Sequence, residues 1–456
     1  MGWKPPVILI AILIIPAAIA SAEEQEISIG VLVDLSGPLA TYGKDIRNNL
    51  EIAKEKINEY FEEKNLPYKV KFYYEDTRVD PNICLQKVQT LYGKGIKLMV
   101  GPMGSGEVKN IISFVTSNKI VVISPSSTAP PKYIGVEKPE QKKYVFRFVA
   151  TDAFQTRAIA KLASDLGIKA VVITYIGNAW GKGLEEFGRK EFEKVGIEVY
   201  KESIEYPDPA PADFSPYIAS LESAVNELMK EYKPEEIAVV TFSYEEVATM
   251  LAQTSEDSVL FKVRWIGCDG TAKSSKVIEE VPDKASKVGL YSTVAEQRGG
   301  KAFEELNKTY FERYGDVPKS YGLNAYDAAW VLALAYVEVL NELGQYDPDA
   351  MAEKIRVVAE NYSGGVYGVE PVSGSIILDE FNDRIVPQYR IYAVKDGKWI
   401  EAGVWYYENN TIKWMYKPTL PKVKTPAAVK KKGPGFEAVL AIAGLAGIAY
   451  ILRRRV

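Results

Sequence analysis

Three loops in this chain combine small residues, hydroxyls and acids in a way that could bind an anion. The first runs from Asp34 to Tyr42, the second is Gly101–Gly106, and the third is Ser124–Thr128. They offer hydroxyl groups and free backbone N–H groups at predicted helix starts, which suits a carboxylate or a phosphate. The Gly101–Gly106 loop lacks the G-K-[ST] ending of a Walker loop and contains no G-x-G-x-x-G pattern. The loops therefore predict an anion site without a nucleotide fingerprint.

Histidine is absent from all 456 residues, which removes the usual general base. Ser-His-Asp and Cys-His catalysis and histidine-ligated metal sites are therefore excluded. Carboxylate-only chemistry stays open, with Asp34 and Asp269 as candidates, although acids in a chain that is 25% charged mostly lie on solvated faces. We expect no metal, no cofactor and no catalytic residue.

Predicted strands and amphipathic helices alternate along the chain. These elements must position the three loops. In the first half the predicted strands are Ile27–Val33, Val70–Tyr74, Lys97–Val100 and Ile120–Ile123, with a helix predicted near Ser105–Val115. After Thr151 the order repeats, with helices Ala153–Leu166, Trp180–Lys194, Pro216–Glu231 and Glu245–Thr254 and strands Ala170–Tyr175, Ile197–Ile204, Ile237–Phe242 and Val263–Gly267. Ser215 is the expected N-cap before Pro216. This order predicts an α/β fold with two doubly wound parallel-sheet lobes and a cleft between them.

Composition and charge limit the class of protein. The hydrophobic content of 47% in a long chain is enough for two packed domains. The formal net charge of −4 does not indicate the basic surface that nucleic-acid binding requires. Cys84 and Cys268 are the only cysteines, and we expect two separate buried or semi-buried thiols.

Both ends of the chain carry signals for export and membrane attachment. Lys4, the apolar run Val7–Ala20 and the small-residue site Ala20-Ser21-Ala22 predict a signal peptide, with an uncleaved N-terminal anchor as the alternative. The C-terminal end has a Pro/Lys linker, then an apolar run, and then three arginines near the terminus. The apolar run is at the short end of the lengths that span a bilayer. Pro434-Gly435-Phe436 resembles the archaeal PGF sorting tail, whose helix is thought to be removed by a membrane protease. A plain C-terminal anchor is the alternative.

Seven motifs occur in an order that resembles the type I periplasmic binding proteins of Leu/Ile/Val ABC transporters. They are D-L-S-G-P-L-A-T-Y-G, D-T-R-V-D-P, V-G-P-M-G-S-G, V-V-I-S-P-S-S-T, N-A-W-G-K-G, D-F-S and I-G-C-D-G, within residues 27–405. The resemblance implies a two-lobed, non-enzymatic receptor that closes on a solute, with three crossover strands as a hinge. It also implies that the receptor docks on an ABC permease.

The resemblance further implies which residues bind the solute. Ser105, Ser126 and Thr128 correspond to the family's carboxylate contacts, and Asp269 to its acidic partner for the ligand ammonium. The implied aromatic contacts are Tyr42, Trp180, Tyr321 and Tyr244, although a gap could shift the last to Ser243. Taken singly, Ser105 and Asp269 could instead be ordinary helix caps.

The sequence departs from the family in ways that bear on the solute. Gly104 stands where relatives often carry a cysteine of a small disulfide, Asp269 is shorter than the usual glutamate, and Trp180 is larger than the usual tyrosine.

The implied domains are a signal peptide (1–22), lobe one (23–148 and 294–366), lobe two (149–293 and 367–416), a linker (417–433) and a transmembrane tail (434–456).

These observations predict a solute receptor of an ABC importer, held at the cell surface by its C-terminal end. The expected solute is a branched-chain amino acid or a similar small amino acid or amide. Three alternatives remain: a sensor of the same fold, a carboxylate-based hydrolase, and a purely structural surface protein.

Overall fold

A computed structural model describes residues 24–298, 300–386 and 388–417. The chain up to Pro418 forms one compact unit. The predicted signal peptide, nearly all of the Pro/Lys linker, and the C-terminal tail lie outside the described residues.

The first lobe is built around a five-stranded parallel sheet. The elements in chain order are β1 Gln25–Val33, α1 Ala40–Glu63, β2 Tyr68–Asp76, α2 Pro81–Gly93, β3 Leu98–Val100, α3 Ser105–Ser117, β4 Val121–Ser124 and β5 Val145–Arg147. The strand order is β2-β1-β3-β4-β5. The inner strands β3 and β4 are short and fully buried, as is typical of a parallel sheet with helices on both faces.

The second lobe is built around a nine-stranded sheet. The elements up to its last parallel strand are α4 Asp152–Asp165, β6 Ala170–Ile176, α5 Ala179–Lys194, β7 Glu198–Val199, β8 Ile204–Tyr206, α6 Ser215–Leu228, β9 Ile237–Phe242, α7 Val247–Gln253, β10 Arg264–Ile266, α8 Ser275–Glu280, α9 Pro282–Val288 and β11 Tyr291–Ala295. The strands β6 to β11 run parallel to one another. The parallel sheets and two lobes confirm the fold class expected from the sequence.

The chain then returns to the first lobe and finally to the second. The helices α10 Gly300–Tyr314, α11 Ser320–Leu343 and α12 Pro348–Ser363 add to the first lobe, with α11 against α1. The strands β12 Gln388–Lys395, β13 Lys398–Tyr406 and β14 Thr411–Trp414 extend the second sheet in antiparallel fashion beyond β11. Helix α11 is long and apolar enough to cross a membrane, but 83% of its most apolar window is buried, so it is a core helix.

Buried ion pairs hold the returning segment against the end of the first sheet. The carboxylate of Asp383 accepts hydrogen bonds from the Arg147 guanidinium and from the Lys142 ammonium. All three side chains are at most 1% exposed. Removing one partner would leave a buried charge unpaired, so this cluster fixes where the chain crosses between the lobes.

Some sequence expectations about the elements are wrong. The expected strand Ile197–Ile204 is two short strands, β7 and β8. Between them the chain leaves the sheet, and the Arg189 guanidinium donates to the Tyr200 carbonyl. Ser215 is the first residue of α6 and not its N-cap; its N–H donates to the Asp213 carboxylate. Cys84 and Cys268 are buried free thiols, as expected.

Candidate ligand-binding site

The loop after β3 carries Ser105 to the cleft side of the first lobe. Gly101 has a φ of +106°, and a Cβ there would lie 2.2 Å from the Leu32 carbonyl oxygen, so only glycine suits this turn. Gly104 is the N-cap of α3, and Ser105 is its first residue. The Ser105 hydroxyl oxygen accepts a hydrogen bond from the Ala129 N–H at 3.1 Å. The helix-cap alternative for Ser105 is therefore wrong.

The loop after β4 is bonded to the Ser105 loop. The Ser124 hydroxyl donates to the Pro102 carbonyl at 2.6 Å, and the Ser126 hydroxyl donates to the Met103 carbonyl at 3.0 Å. The Thr128 hydroxyl is buried beside the Asp152 carboxylate and makes no well-formed hydrogen bond among the described residues. Buried hydroxyl groups are nearly always hydrogen-bonded, so Thr128 is a candidate ligand contact.

Asp269 follows β10 and reaches the cleft from the second lobe. It is 4% exposed, and its Oδ2 accepts a hydrogen bond from the Tyr321 hydroxyl of the first lobe. Its Oδ1 has no partner in the part of the chain that the structure describes. Burial raises the pKa of the Asp269 carboxyl, which the Tyr321 hydrogen bond partly opposes. Since its side chain bonds Tyr321 across the cleft, Asp269 does not cap a helix.

Two pairs of aromatic rings form the walls. Trp180 and Tyr244 stack with their centroids 4.5 Å apart and their planes at 14°. Tyr42 packs on Tyr321 at 5.7 Å, and its hydroxyl donates to the Ala272 carbonyl of the other lobe. Ser243, the alternative to Tyr244, shares a hydrogen bond with Thr241 instead.

These residues enclose a small cavity between the lobes. Six of the eight residues implied by the sequence line it, together with Leu39, Met103, Gly104 and Gly270: Ser105, Ser126, Trp180, Tyr244, Asp269 and Tyr321. Thr128 and Tyr42 lie outside this lining. The free volume is about 20 Å³, which is room for a single water molecule. The structure thus shows a closed arrangement of the lobes, which must open for a ligand to enter.

Asp152 is a candidate that the sequence analysis missed. It is the first residue of α4, it is fully buried, and neither carboxylate oxygen has a hydrogen-bond partner among the described residues. Burial and then the charge of Asp269 raise its pKa well above the ordinary range. An acid at a helix start is common, so the sequence alone gave no reason to single it out. The structure adds a second acid to the Asp269 side of the cleft.

Asp34, the other acid considered for hydrolysis, has a different role. Its carboxylate accepts hydrogen bonds from the N–H groups of Ser36, Gly37 and Leu39. It is fully buried and does not line the cavity. Asp34 therefore shapes the first loop, and no Asp34–Asp269 catalytic pair is formed.

Residues 26–398 match the model described as periplasmic binding protein, and residues 433–455 match the PGF-CTERM motif. An uncharacterized protein of Methanocaldococcus jannaschii is 49% identical over 397 residues, which cover 87% of this chain and 93% of that protein. A Leu/Ile/Val-binding protein of Rhizobium johnstonii is 27% identical over 269 residues, covering 58% of this chain and 67% of that protein.

Solved structures show the same fold. A leucine-binding protein of Thermotoga maritima superposes with a TM-score of 0.68 at 22% identity, covering 84% of this chain and 99% of that one. An isoleucine complex of a branched-chain amino acid transporter binding protein from Streptococcus pneumoniae gives 0.64 at 19% identity, covering 83% and 100%. Because the family model matches most of the chain, the chain belongs to the periplasmic binding protein family. It also carries a PGF-CTERM motif at its C-terminal end.

Proposed function

We propose that this protein is an extracellular receptor that binds an amino acid between its lobes for an ABC importer. The observation that carries the proposal is the carboxylate of Asp269, which is closed into the cleft with Oδ1 unpartnered in the described residues. A buried carboxylate favours a cationic partner, and a ligand ammonium would supply one.

The opposite side of the cavity suits the ligand carboxylate. Ser105 and Ser126 line it, and the Thr128 hydroxyl is nearby without a well-formed hydrogen bond among the described residues. Hydroxyl and N–H donors bind a carboxylate with charge-assisted hydrogen bonds. An acid on one lobe and such donors on the other match the two ends of a zwitterion.

The walls favour an apolar side chain. Leu39, Met103 and the ring of Trp180 line the cavity beside the polar groups. Two structural relatives are a leucine-binding protein and an isoleucine complex, whereas a third, from R. palustris, is a complex with benzoate. Benzoate has no ammonium group and would leave Asp269 unpaired. We therefore favour a branched-chain amino acid or a similar small amino acid or amide.

A ligand screen tests this proposal directly. Thermal unfolding of the fragment 23–417 would be measured with single amino acids, their amides and benzoate. A ligand at 100 times its Kd stabilises the protein by about 2.7 kcal/mol, which the midpoint would show. Stabilisation by aliphatic amino acids, but not by the matching carboxylic acids without the amine, is the expected result. Stabilisation by benzoate alone, or by no small molecule, would overturn it.

Transport and sensing would use the same closed cleft. We favour transport because the family matched here delivers solutes to ABC permeases. Reconstituting the protein with candidate ABC permeases from the same organism would distinguish the two. Solute uptake that requires the receptor supports import, while ligand binding without uptake would indicate a sensor.

The ends of the chain favour attachment to the outside of an archaeal membrane. The PGF-CTERM motif indicates archaeal surface anchoring, and the predicted signal peptide agrees with export. Mass spectrometry of the mature protein should find no peptide that begins at Met1. Recovery of intact Arg453–Val456 would replace tail cleavage by simple membrane anchoring.

A further inference from the structure

Three N-x-[ST] sequences in the chain match the acceptor pattern for N-linked glycans. They begin at Asn307, Asn361 and Asn409. Such sequences occur often by chance, so the pattern alone does not assign a modification. A glycan-transferring enzyme must reach the asparagine amide and the hydroxyl two residues later at the surface of an exported protein. The local structure around each sequence therefore decides which of the three can be modified.

Two of the three sequences lie inside helices. Asn307 and Thr309 belong to α10, and Asn361 and Ser363 belong to α12. In a helix, side chains two residues apart do not face each other, so the amide and the hydroxyl point to different sides. The Thr309 hydroxyl donates to the carbonyl four residues earlier at 3.1 Å, and the Ser363 hydroxyl does the same at 2.8 Å. Both hydroxyls are thus bonded within their own helix.

The third sequence lies in the turn between β13 and β14. Residues 407–410 form this turn, and Thr411 is the first residue of β14, which is the edge strand of the second sheet. Asn409 and Thr411 are both exposed. The Thr411 hydroxyl donates to the Asn409 side-chain oxygen at 2.6 Å. The two side chains that define the acceptor pattern therefore lie together at the surface.

The amide nitrogen of Asn409 is open to reaction. In the part of the chain that the structure describes, no residue accepts a hydrogen bond from this nitrogen. The neighbouring Asn410 differs, because its side-chain oxygen accepts a hydrogen bond from the Trp405 indole at 2.8 Å. Asn410 has a φ of +50°, a left-handed conformation in which asparagine is common. Asn410 thus fixes the turn, and the turn presents Asn409 to solvent with its amide nitrogen unbonded.

We propose that Asn409 is an N-glycosylation site, and that Asn307 and Asn361 are not modified. The donor is an oligosaccharide linked through phosphate to a membrane lipid, and a membrane-bound transferase supplies it. The Asn409 Nδ2 forms a bond to the anomeric carbon of the glycan and loses one proton to solvent. The bond from that carbon to the phosphate oxygen breaks, and the lipid phosphate leaves with the electron pair. The inference rests on export, which is part of the proposed function, and is independent of the solute in the cleft.

Peptide mass spectrometry tests the site directly. The full chain is expressed in an archaeal host whose surface proteins carry N-linked glycans, and the purified protein is digested with trypsin. The tryptic peptide 399–413 contains the Asn409 sequence and neither of the other two. This peptide is expected to be heavier by the mass of the host glycan. The peptides that contain Asn307 and Asn361 are expected to have their unmodified masses.

Variants of the hydroxyl residue separate recognition of the sequence from other modification. Thr411→Val is expected to remove the glycan mass, because it removes the hydroxyl and keeps both the β-branched shape and Asn409 itself. Thr411→Ser keeps the hydroxyl and should keep the glycan. Thr309→Val is the matched control, since it removes the hydroxyl of the α10 sequence and should leave the glycan unchanged. A glycan that persists in Thr411→Val would overturn the inference.

The same spectra distinguish failure of this inference from failure of export. An unmodified Asn409 in protein that has lost its Met1 peptide would overturn the glycosylation site and leave export supported. An unmodified Asn409 together with a recovered Met1 peptide would overturn both. Glycan on Asn307 or Asn361 at an occupancy equal to that of Asn409 would overturn the selection that the structure implies.

Discussion

Replacing Asp269 by asparagine is expected to raise stability while it lowers ligand affinity. Asp269→Asn keeps the side-chain size and an oxygen that can accept the Tyr321 hydroxyl, but it removes the negative charge. In the folded protein the Asp269 carboxylate is buried, Oδ1 has no partner among the described residues, and its charge raises the pKa of neighbouring Asp152. The substitution thus removes a buried charge that destabilises the folded protein. The same charge is the proposed partner of the ligand ammonium.

The size of each effect follows from these contacts. Burying an unpaired charge costs more than burying a neutral amide, so the free energy of unfolding without ligand should rise by about 1–3 kcal/mol. A ligand ammonium in the closed cleft would lose its charged partner, which costs about 2–5 kcal/mol. Affinity should therefore fall by about 30- to 5,000-fold.

Two measurements on the same preparation test this reasoning. Thermal unfolding gives the stability of the protein without ligand, and calorimetric titration gives the affinity for the amino acid found by screening. Asp283→Asn is the matched control, because Asp283 is an exposed residue of α9 far from the cavity lining. Affinity within about threefold of wild type, with a lowered midpoint, would show that Asp269 only anchors Tyr321.

Three further predictions follow from the same structure. Ser105→Ala should weaken ligand binding by about 1.5–3 kcal/mol, because a hydrogen bond to a charged carboxylate is lost; titration against Ser117→Ala, a control at the exposed end of α3, checks it. The radius of gyration from X-ray scattering should fall when ligand saturates the protein, since closure brings the lobes together, and an unchanged radius would count against a two-lobe trap. Burial raises the pKa of Glu107 to about 7, so the folded state holds this proton more tightly than the unfolded chain. The stabilisation from this tighter proton binding is complete below pH 4.5 and is lost as the pH rises towards 7. Glu107→Gln cannot titrate, so over this range its free energy of unfolding should fall by about 2–4 kcal/mol less than that of wild type. Glu62→Gln, at an exposed position, is the control.

Much of the fold was predictable because buried parallel strands are short apolar runs. The strand Ile237–Phe242 was predicted with its observed bounds, and β1 extends the predicted strand Ile27–Val33 by two residues at its exposed end. The polar residues between β7 and β8 carried too weak a signal to show that the edge strand breaks there. The segment that leaves the sheet accepts a hydrogen bond from Arg189 of the preceding helix α5, a contact that the residue pattern does not predict.

The site was predictable only in part, since loop motifs identify residues but not their partners. The expected binding residues Ser105, Ser126 and Asp269 do meet at one cavity, although their roles in binding stay predictions. The bond from Tyr321 to Asp269 joins residues that are 52 apart in the sequence, and no local pattern predicts it. Asp152 was missed because an acid at the start of a helix is usually exposed, and only the folded structure shows that this one is fully buried.

The two cleft acids give a physical reason for closure that depends on a ligand. When the lobes are closed, Asp269 and Asp152 are buried without a cation from the described residues, which disfavours that form. A ligand ammonium removes this cost only in the closed form, so it shifts the population towards closure. Moving the equilibrium from 1:99 to 99:1 needs about 5.5 kcal/mol of preference for the closed state. The contributions expected from Asp269, about 2–5 kcal/mol, and from Ser105, about 1.5–3 kcal/mol, can together reach that amount.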